Sequence, residues 1–296
     1  MAKVIARLMG GLGNQLFIYS AARRLALHNA AELVLDDVSG FARDTLYRRR
    51  CELQHFAIAG RFATSRERLE PLPRLRRAWR LLNENRKPFA RRRHIVQQGV
   101  DFVPDLLQLK VPGTLYLEGY WQSEGYFADV ADTIRGDLRI LPPQDTANLE
   151  MAQRIRHCPQ PVAVHLRYFL GDAVDHDQHA PPDYYRRALA LLEQHIADSH
   201  YFVFSDRPDL VQAAELFPAG RFTVVDHNQG HDLAYADLWL MTLCRHFIIA
   251  NSTFSWWGAW LPSHSNKIVI APGIERREGV AWWGFKGLIP HGWITC

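Results

Sequence analysis

The stretch His246-Phe247-Ile248-Ile249-Ala250-Asn251-Ser252-Thr253-Phe254-Ser255-Trp256-Trp257-Gly258-Ala259-Trp260-Leu261 decides the reading of this chain. Its first five residues are a short apolar run, which reads as a buried strand. Asn251-Ser252-Thr253 then falls where a parallel strand ends and a helix begins, the usual place for a ligand in an open α/β sheet. The tryptophans behind this trio offer aromatic faces on which a base or sugar ring could stack. Ser252 and Thr253 offer hydroxyls and the N–H groups of a helix start, which suit a phosphate.

The same layout recurs. Pro161–Leu166, His200–Phe204, Arg221–Val225, His246–Ala250 and Lys267–Ile270 read as strands. Asp183–Ala197, Asp209–Leu216, Asp232–Leu243 and Ser255–Leu261 read as helices. Strands alternating with helices of this length predict a doubly wound parallel sheet. Several of these strands end in polar residues: His165-Leu166-Arg167, Ser205-Asp206, Asp226-His227 and Asn251-Ser252-Thr253. Alternate residues of a strand share a face, so Val162, Val164 and Leu166 face one layer and Ala163, His165 and Arg167 the other. An arginine at such an edge can grip a phosphate through two parallel hydrogen bonds.

The N-terminal part opens as a second unit of the same kind: a strand Lys3–Leu8, a glycine turn Gly10-Gly11-Leu12-Gly13, a helix from Asn14 to Asn29 and a strand Glu32–Asp36. A strand through Leu115–Gln122 and a helix near Glu124–Asp137 follow. The Leu141-Pro142-Pro143 stretch punctuates the chain. Two Rossmann-like domains are therefore expected, residues 1–145 and 146–296, with a cleft between them as the ligand site.

Composition bounds the function. With 48% hydrophobic and 22% charged residues the chain is globular. It shows no signal-peptide pattern, and no apolar stretch approaches the roughly 20 residues that span a bilayer. Cys51, Cys158, Cys244 and Cys296 are scattered without metal or disulfide spacing, which suits a reduced, cytoplasmic setting. Arg74–Arg93 holds nine basic residues and one acid, Glu84. That segment is either a solvated helix and loop or a patch that meets an anionic membrane face or a lipid-linked substrate. Nucleic acid is disfavoured, because no recognisable nucleic-acid-binding module accompanies it.

Four features admit more than one reading. The turn through Gly11 and Gly13 approaches a dinucleotide fingerprint, with Asp36 and Asp37 where a ribose-binding acid would stand. Leu16, however, occupies the place of the third glycine. This leaves an NAD(P)-linked oxidoreductase as one alternative. The nine tryptophans leave a non-catalytic carbohydrate-binding protein as another. The run Asp172-Ala173-Val174-Asp175-His176-Asp177-Gln178-His179 is either a polar loop or a divalent-metal ligand set. Tyr120-Trp121 and Trp282-Trp283 are either sugar platforms or packing.

Taken in order, Gly10–Phe17, Gly119–Glu124, His165–Arg167, Phe204–Asp206 and Asn251–Leu261 resemble the bacterial α-1,2-fucosyltransferases, glycosyltransferase family 11. The resemblance implies two facing Rossmann-like domains of the GT-B arrangement, with the acceptor on the N-terminal side and GDP-fucose on the C-terminal side. It implies transfer with inversion and no metal cofactor, to the 2-hydroxyl of a terminal galactoside in a surface glycan. The expected donor set is Gly11, Gly13, Asn14, Gln15, His165, Arg167, Ser205, Asp206, Asn251, Ser252, Thr253 and Phe254. Arg167 would meet the β-phosphate with His165 beside it. Glu118, Tyr120, Trp121 and Gln122 are acceptor-side candidates. Glu118, Asp172 and His165 are candidates for the general base. One departure stands out: where the family pattern reads His-x-Arg-Arg-Gly-Asp, Tyr168 replaces the second arginine, and Phe169-Leu170 precede Gly171-Asp172.

Overall fold

The computed structural model describes residues 1–168, 180–211, 215–273, 275–277 and 280–296. The chain divides into two compact units, Met1–Arg139 with Phe285–Leu288, and Ile140–Gly284 with Ile289–Cys296. The division falls between Arg139 and Ile140. The return of four late residues to the first unit is something a single cut cannot express.

The first unit is built on β1 (Lys3–Arg7), α1 (Leu12–His28), β2 (Glu32–Asp36), β3 (Arg61–Phe62), α2 (Pro73–Glu84), β4 (His94–Val96), β5 (Thr114–Glu118) and α3 (Ala131–Asp137). Its sheet is parallel, in the order β3-β2-β1-β5-β4. The central strands are apolar because both faces are covered. Helix α1 is itself sunk in the core, with Leu16, Phe17, Ile18, Ala21, Ala22 and Leu25 buried. Ile5, Val34, Ala63, Leu69 and Tyr116 form a small cluster. The stretch from Arg61 to Val96 supplies β3, α2 and β4, and the solvated-helix reading of Arg74–Arg93 falls on α2. The helix expected near Glu124–Asp137 is instead two 3-10 turns, Glu124–Tyr126 and Ala128–Val130, followed by α3.

The second unit runs α4 (Thr146–His157), β6 (Pro161–Leu166), α5 (Pro182–Glu193), β7 (His200–Ser205), α6 (Pro208–Val211), β8 (Phe222–Val225), α7 (Ala234–Thr242), β9 (His246–Ile248), α8 (Thr253–Trp260) and β10 (Val269–Ala271), then a hairpin of β11 (Glu275–Arg277) and β12 (Val280–Trp283), and β13 (Ile294–Thr295). The parallel sheet has the order β13-β10-β9-β6-β7-β8. From β6 the chain steps out to β7 and β8, then returns to β9 on the other side. The crevice of this sheet therefore opens between the ends of β6 and β9, where the strand order reverses. Val162, Val164 and Leu166 share one core cluster with Tyr184, Leu192, Val203 and Ile248, which is the face assignment the strand period predicts.

Candidate functional site

In the second unit, His165 and Arg167 leave β6 beside Asn251-Ser252-Thr253, which leave β9. Ser252 caps α8: its Oγ accepts from Phe254 N at 3.3 Å, and its carbonyl accepts from Trp256 N at 3.0 Å. The early N–H groups of α8 thus start at the crevice, the end of a helix that favours anions. Arg167 Nη1 stands 3.3 Å from Asp206 Oδ2 at the end of β7. Asp206 Oδ1 also accepts from Tyr168 N at 2.8 Å, so one carboxylate ties the ends of two strands together. Ser205 Oγ accepts from Arg207 N at 3.0 Å.

His165 is 4% exposed, and its Nδ1 has no hydrogen-bond partner. Its ring lies 5.4 Å from that of Phe254. Burial, reinforced by the Arg167 charge, pushes its pKa down to about 3. At neutral pH it is therefore an uncharged ring beside the arginine. Tyr168 packs partly against the core cluster of α5 and β6. The side chain in the second arginine's place is thus spent on packing.

The tryptophans of α8 do not present a stacking surface. Trp256, Trp257 and Trp260 are buried. Trp256 stacks on Trp260 with ring centroids 6.0 Å apart and meets Trp293 at 5.5 Å. A Cβ on Gly258 would fall 2.8 Å from Met241 Cε, so α7 and α8 are in close contact there. This packing fixes the helix whose first turn faces the crevice. Trp283 is buried as well and donates to Pro272 O at 3.3 Å.

A polar network that sequence reading missed lies beyond β8. Asn148 Nδ2 donates to Asn228 Oδ1 at 2.8 Å, and Asn228 Nδ2 donates to Asn148 Oδ1 at 2.9 Å and to Asp237 Oδ1 at 2.8 Å. His227 Nε2 is 3.2 Å from Asn148 Oδ1. Burial pushes the Asp237 carboxyl up to about 7 despite the Asn228 hydrogen bond. Its signal was present: a lone acid inside the apolar run of α7.

In the first unit the strand order reverses between β1 and β5. The glycine turn and Tyr120-Trp121-Gln122 follow those two strands. Gly10 has φ +75, and a Cβ there would lie 2.7 Å from Asn14 Nδ2. Asn14 Oδ1 accepts from Gln122 Nε2 at 2.7 Å, joining the two loops. Four residues for which the sequence left a site role open have partners within this unit. Gln15 is wholly buried: it donates to Gly10 O and Arg50 O and accepts from Glu52 N, so it braces the turn. Glu118 is held by His94 Nε2 at 2.7 Å, Arg77 Nε at 2.9 Å and Arg7 Nη1 at 3.1 Å. Burial alone would raise its pKa, but the His94 hydrogen bond and the Arg77 and Arg7 charges leave it below the usual range. That makes Glu118 a structural anion and a poor proton acceptor. Trp121, 1% exposed, meets Tyr126 edge-on and offers no platform. Asp36 is taken up by the N–H groups of Val38 and Ser39 and by Arg77, so it is not placed to bind a ribose. Tyr120 remains exposed.

Asp172 and the acidic run around it lie outside the described residues. Among the described residues no three histidine, cysteine or acidic side chains gather as a metal-ligand group. All four cysteines are free.

Comparison with known proteins gives these features a context. Residues 93–278 match the model of the family described as Glycosyl transferase family 11. An Escherichia coli alpha-1,2-colitosyltransferase is 30% identical over 290 residues, covering 94% of this chain and 94% of the relative. The E. coli O-antigen biosynthesis glycosyltransferase WbnK is 32% identical over 290 residues, covering 90% and 92%. Among solved structures, a point mutant of Arabidopsis thaliana FUT1 in complex with GDP superposes with a TM-score of 0.52 at 13% identity, covering 94% of this chain and 71% of that one. Fucosyltransferase NodZ from Bradyrhizobium gives 0.50 at 16% identity, covering 87% and 92%. At these identities the structures establish the fold, two Rossmann-like units of the GT-B class.

Proposed function

The chain belongs to glycosyl transferase family 11, and on that premise we propose that it moves L-fucose from GDP-fucose to the 2-hydroxyl of a terminal galactoside in a surface glycan. The observation that carries this reading is that His165 and Arg167 leave β6 next to the strand from which the Ser252-capped α8 starts, with the His165 ring 5.4 Å from that of Phe254. An acceptor oxygen attacks the anomeric carbon, the bond from that carbon to the diphosphate breaks, and the acceptor proton passes to a base. Negative charge grows on the departing GDP. In this reading Arg167 and the first N–H groups of α8 meet it, as preorganised donors do in other enzymes. In this reading no metal ion is required. Phe254 and the neutral His165 form one wall of the nucleotide site. Asn14 stays a donor-side candidate, Gln122 and the exposed Tyr120 stay acceptor-side candidates, and Asp172 stays a candidate for the base. The free thiols suit a cytoplasmic setting.

The colitosyltransferase relative favours a second reading, in which another GDP-sugar is the donor. Measured GDP release from GDP-fucose, GDP-colitose and GDP-mannose, each with and without a panel of β-galactosides, separates the two. Acceptor-dependent release from GDP-fucose supports the first reading, and release from GDP-colitose alone replaces it with the second. Absence of release with every donor would overturn both.

A further inference from the structure

Helix α2 turns its apolar side outward. Leu75, Trp79 and Leu82 are 66%, 69% and 67% exposed, and Leu72 just before the helix is 62% exposed. At about 3.6 residues per turn these positions form one continuous stripe. The opposite side of the helix faces the first unit, and apart from the half-buried Leu81 it is polar. There Arg77 pairs with Asp36 at 3.2 Å and with Glu118 at 2.9 Å, while the Arg80 guanidinium sits 4.4 Å from the centre of the Tyr116 ring. No residue of α2 is buried. A helix that anchors itself by ion pairs to the buried carboxylates of Asp36 and Glu118 and leaves leucines and a tryptophan in solvent inverts the usual arrangement of a surface helix.

Exposed positive charge accompanies the stripe. Of the nine basic residues between Arg74 and Arg93, Arg74, Arg76, Arg86, Lys87 and Arg91 are exposed, and Glu84, the one acid, is occupied by Lys87 at 2.6 Å and by Arg93 N at 2.5 Å. The geometry points to a bilayer carrying anionic lipid as the occupant: we infer that α2 lies flat in the headgroup region, with Leu75, Trp79 and Leu82 inserted and the basic residues on lipid phosphates. An outward stripe of leucine and tryptophan flanked by cations is what an interfacial helix requires. No helix among the described residues is long and apolar enough to cross a membrane, so the attachment is peripheral. This surface lies within the first unit and does not depend on which sugar is transferred.

The test is co-sedimentation of the full chain with phosphatidylcholine vesicles, with and without phosphatidylglycerol. The parent chain is expected to pellet with the anionic vesicles and to be released by high salt. Trp79→Ala with Leu82→Ala should lower the partition by about tenfold or more. Arg74→Gln with Arg86→Gln should lower it by about 25-fold. All four side chains are exposed, so the fold should survive, and matching circular dichroism spectra check this. Three results would overturn the inference: a parent chain that stays in the supernatant, variants that bind as the parent does, or a dimer in sedimentation equilibrium that Trp79→Ala with Leu82→Ala dissolves while vesicles take up neither form. The last would make the stripe an interface between copies of this chain.

Discussion

Arg167 Nη1 lies 3.3 Å from Asp206 Oδ2, a pairing that spans the ends of two adjacent parallel strands. The cation proposed to meet the leaving diphosphate is thus aimed by a neighbour and not by its own strand alone. Loss of a comparable electrostatic donor lowers turnover about 100- to 1000-fold, and Arg167→Ala is expected to do the same in single-turnover GDP release. Arg167→Lys should rescue little, because the planar fork is lost. Asp206→Asn should cost about tenfold or more through misplacement. Near-normal turnover in Arg167→Ala would remove the arginine from the mechanism.

Glu118 should behave as a structural anion. Glu118→Gln removes one charge from a buried group that includes Arg77 and His94, which should cost about 2–4 kcal/mol in urea unfolding. The acidic limb of the pH–rate profile should remain. A variant of parental stability that has lost that limb would restore Glu118 as the base.

Gln15→Leu removes the buried hydrogen bond from Glu52 N and the bonds that Gln15 gives to Gly10 O and Arg50 O. Unsatisfied buried groups cost about 1–3 kcal/mol each, so the variant should unfold at clearly lower denaturant. At low temperature its KM for the donor should stay within about threefold of the parent, since uniform binding is untouched. A large rise in KM at parental stability would place Gln15 in the donor site after all.

Acid should weaken the fold through His165. Its pKa is pushed down to about 3 in the folded chain, against about 6.5 when unfolded. Between those values the unfolded chain binds the extra proton, so stability present above pH 6.5 is lost as pH falls. His246, pushed down to about 4, acts in the same direction. Asp237, pushed up to about 7, acts in the opposite one, because it gains its proton more readily in the folded chain. Comparing the parent with His165→Asn cancels the other groups. The urea midpoint of the parent should fall more steeply from pH 7 to pH 5 than that of the variant, and equal slopes would refute the assignment.

Legibility followed the periodic elements. The strands around His165 and Asn251 were readable because a parallel strand buried on both faces is a short apolar run closed by a polar loop. The α2 segment was readable as a solvated helix from its charge, but its bounds and its outward apolar stripe were not, because its inward side carries Arg77 and Arg80 while Leu75, Trp79 and Leu82 face solvent. A pattern search expects the reverse. At the site, sequence placed Arg167 and Ser252 at strand ends but could not show that Gln15 and Glu118 spend every contact on their own unit. Both are polar side chains in loops or at strand ends, and only three-dimensional partners distinguish a brace from a ligand. The tryptophans misled for a similar reason: an aromatic cluster beside a site looks the same in sequence whether it faces the ligand or holds the helix that does.

The return of Phe285–Leu288 to the first unit has a consequence for how the protein is made. Phe285 and Leu288 are buried, and Lys286 O accepts from Phe102 N at 3.4 Å. A ribosome that has released residues 1–139 has therefore not yet supplied the last apolar contacts of the N-terminal unit. That unit completes its core only after nearly the whole C-terminal unit has emerged, so the usual order of domain-by-domain folding from the N-terminus cannot run to its end here.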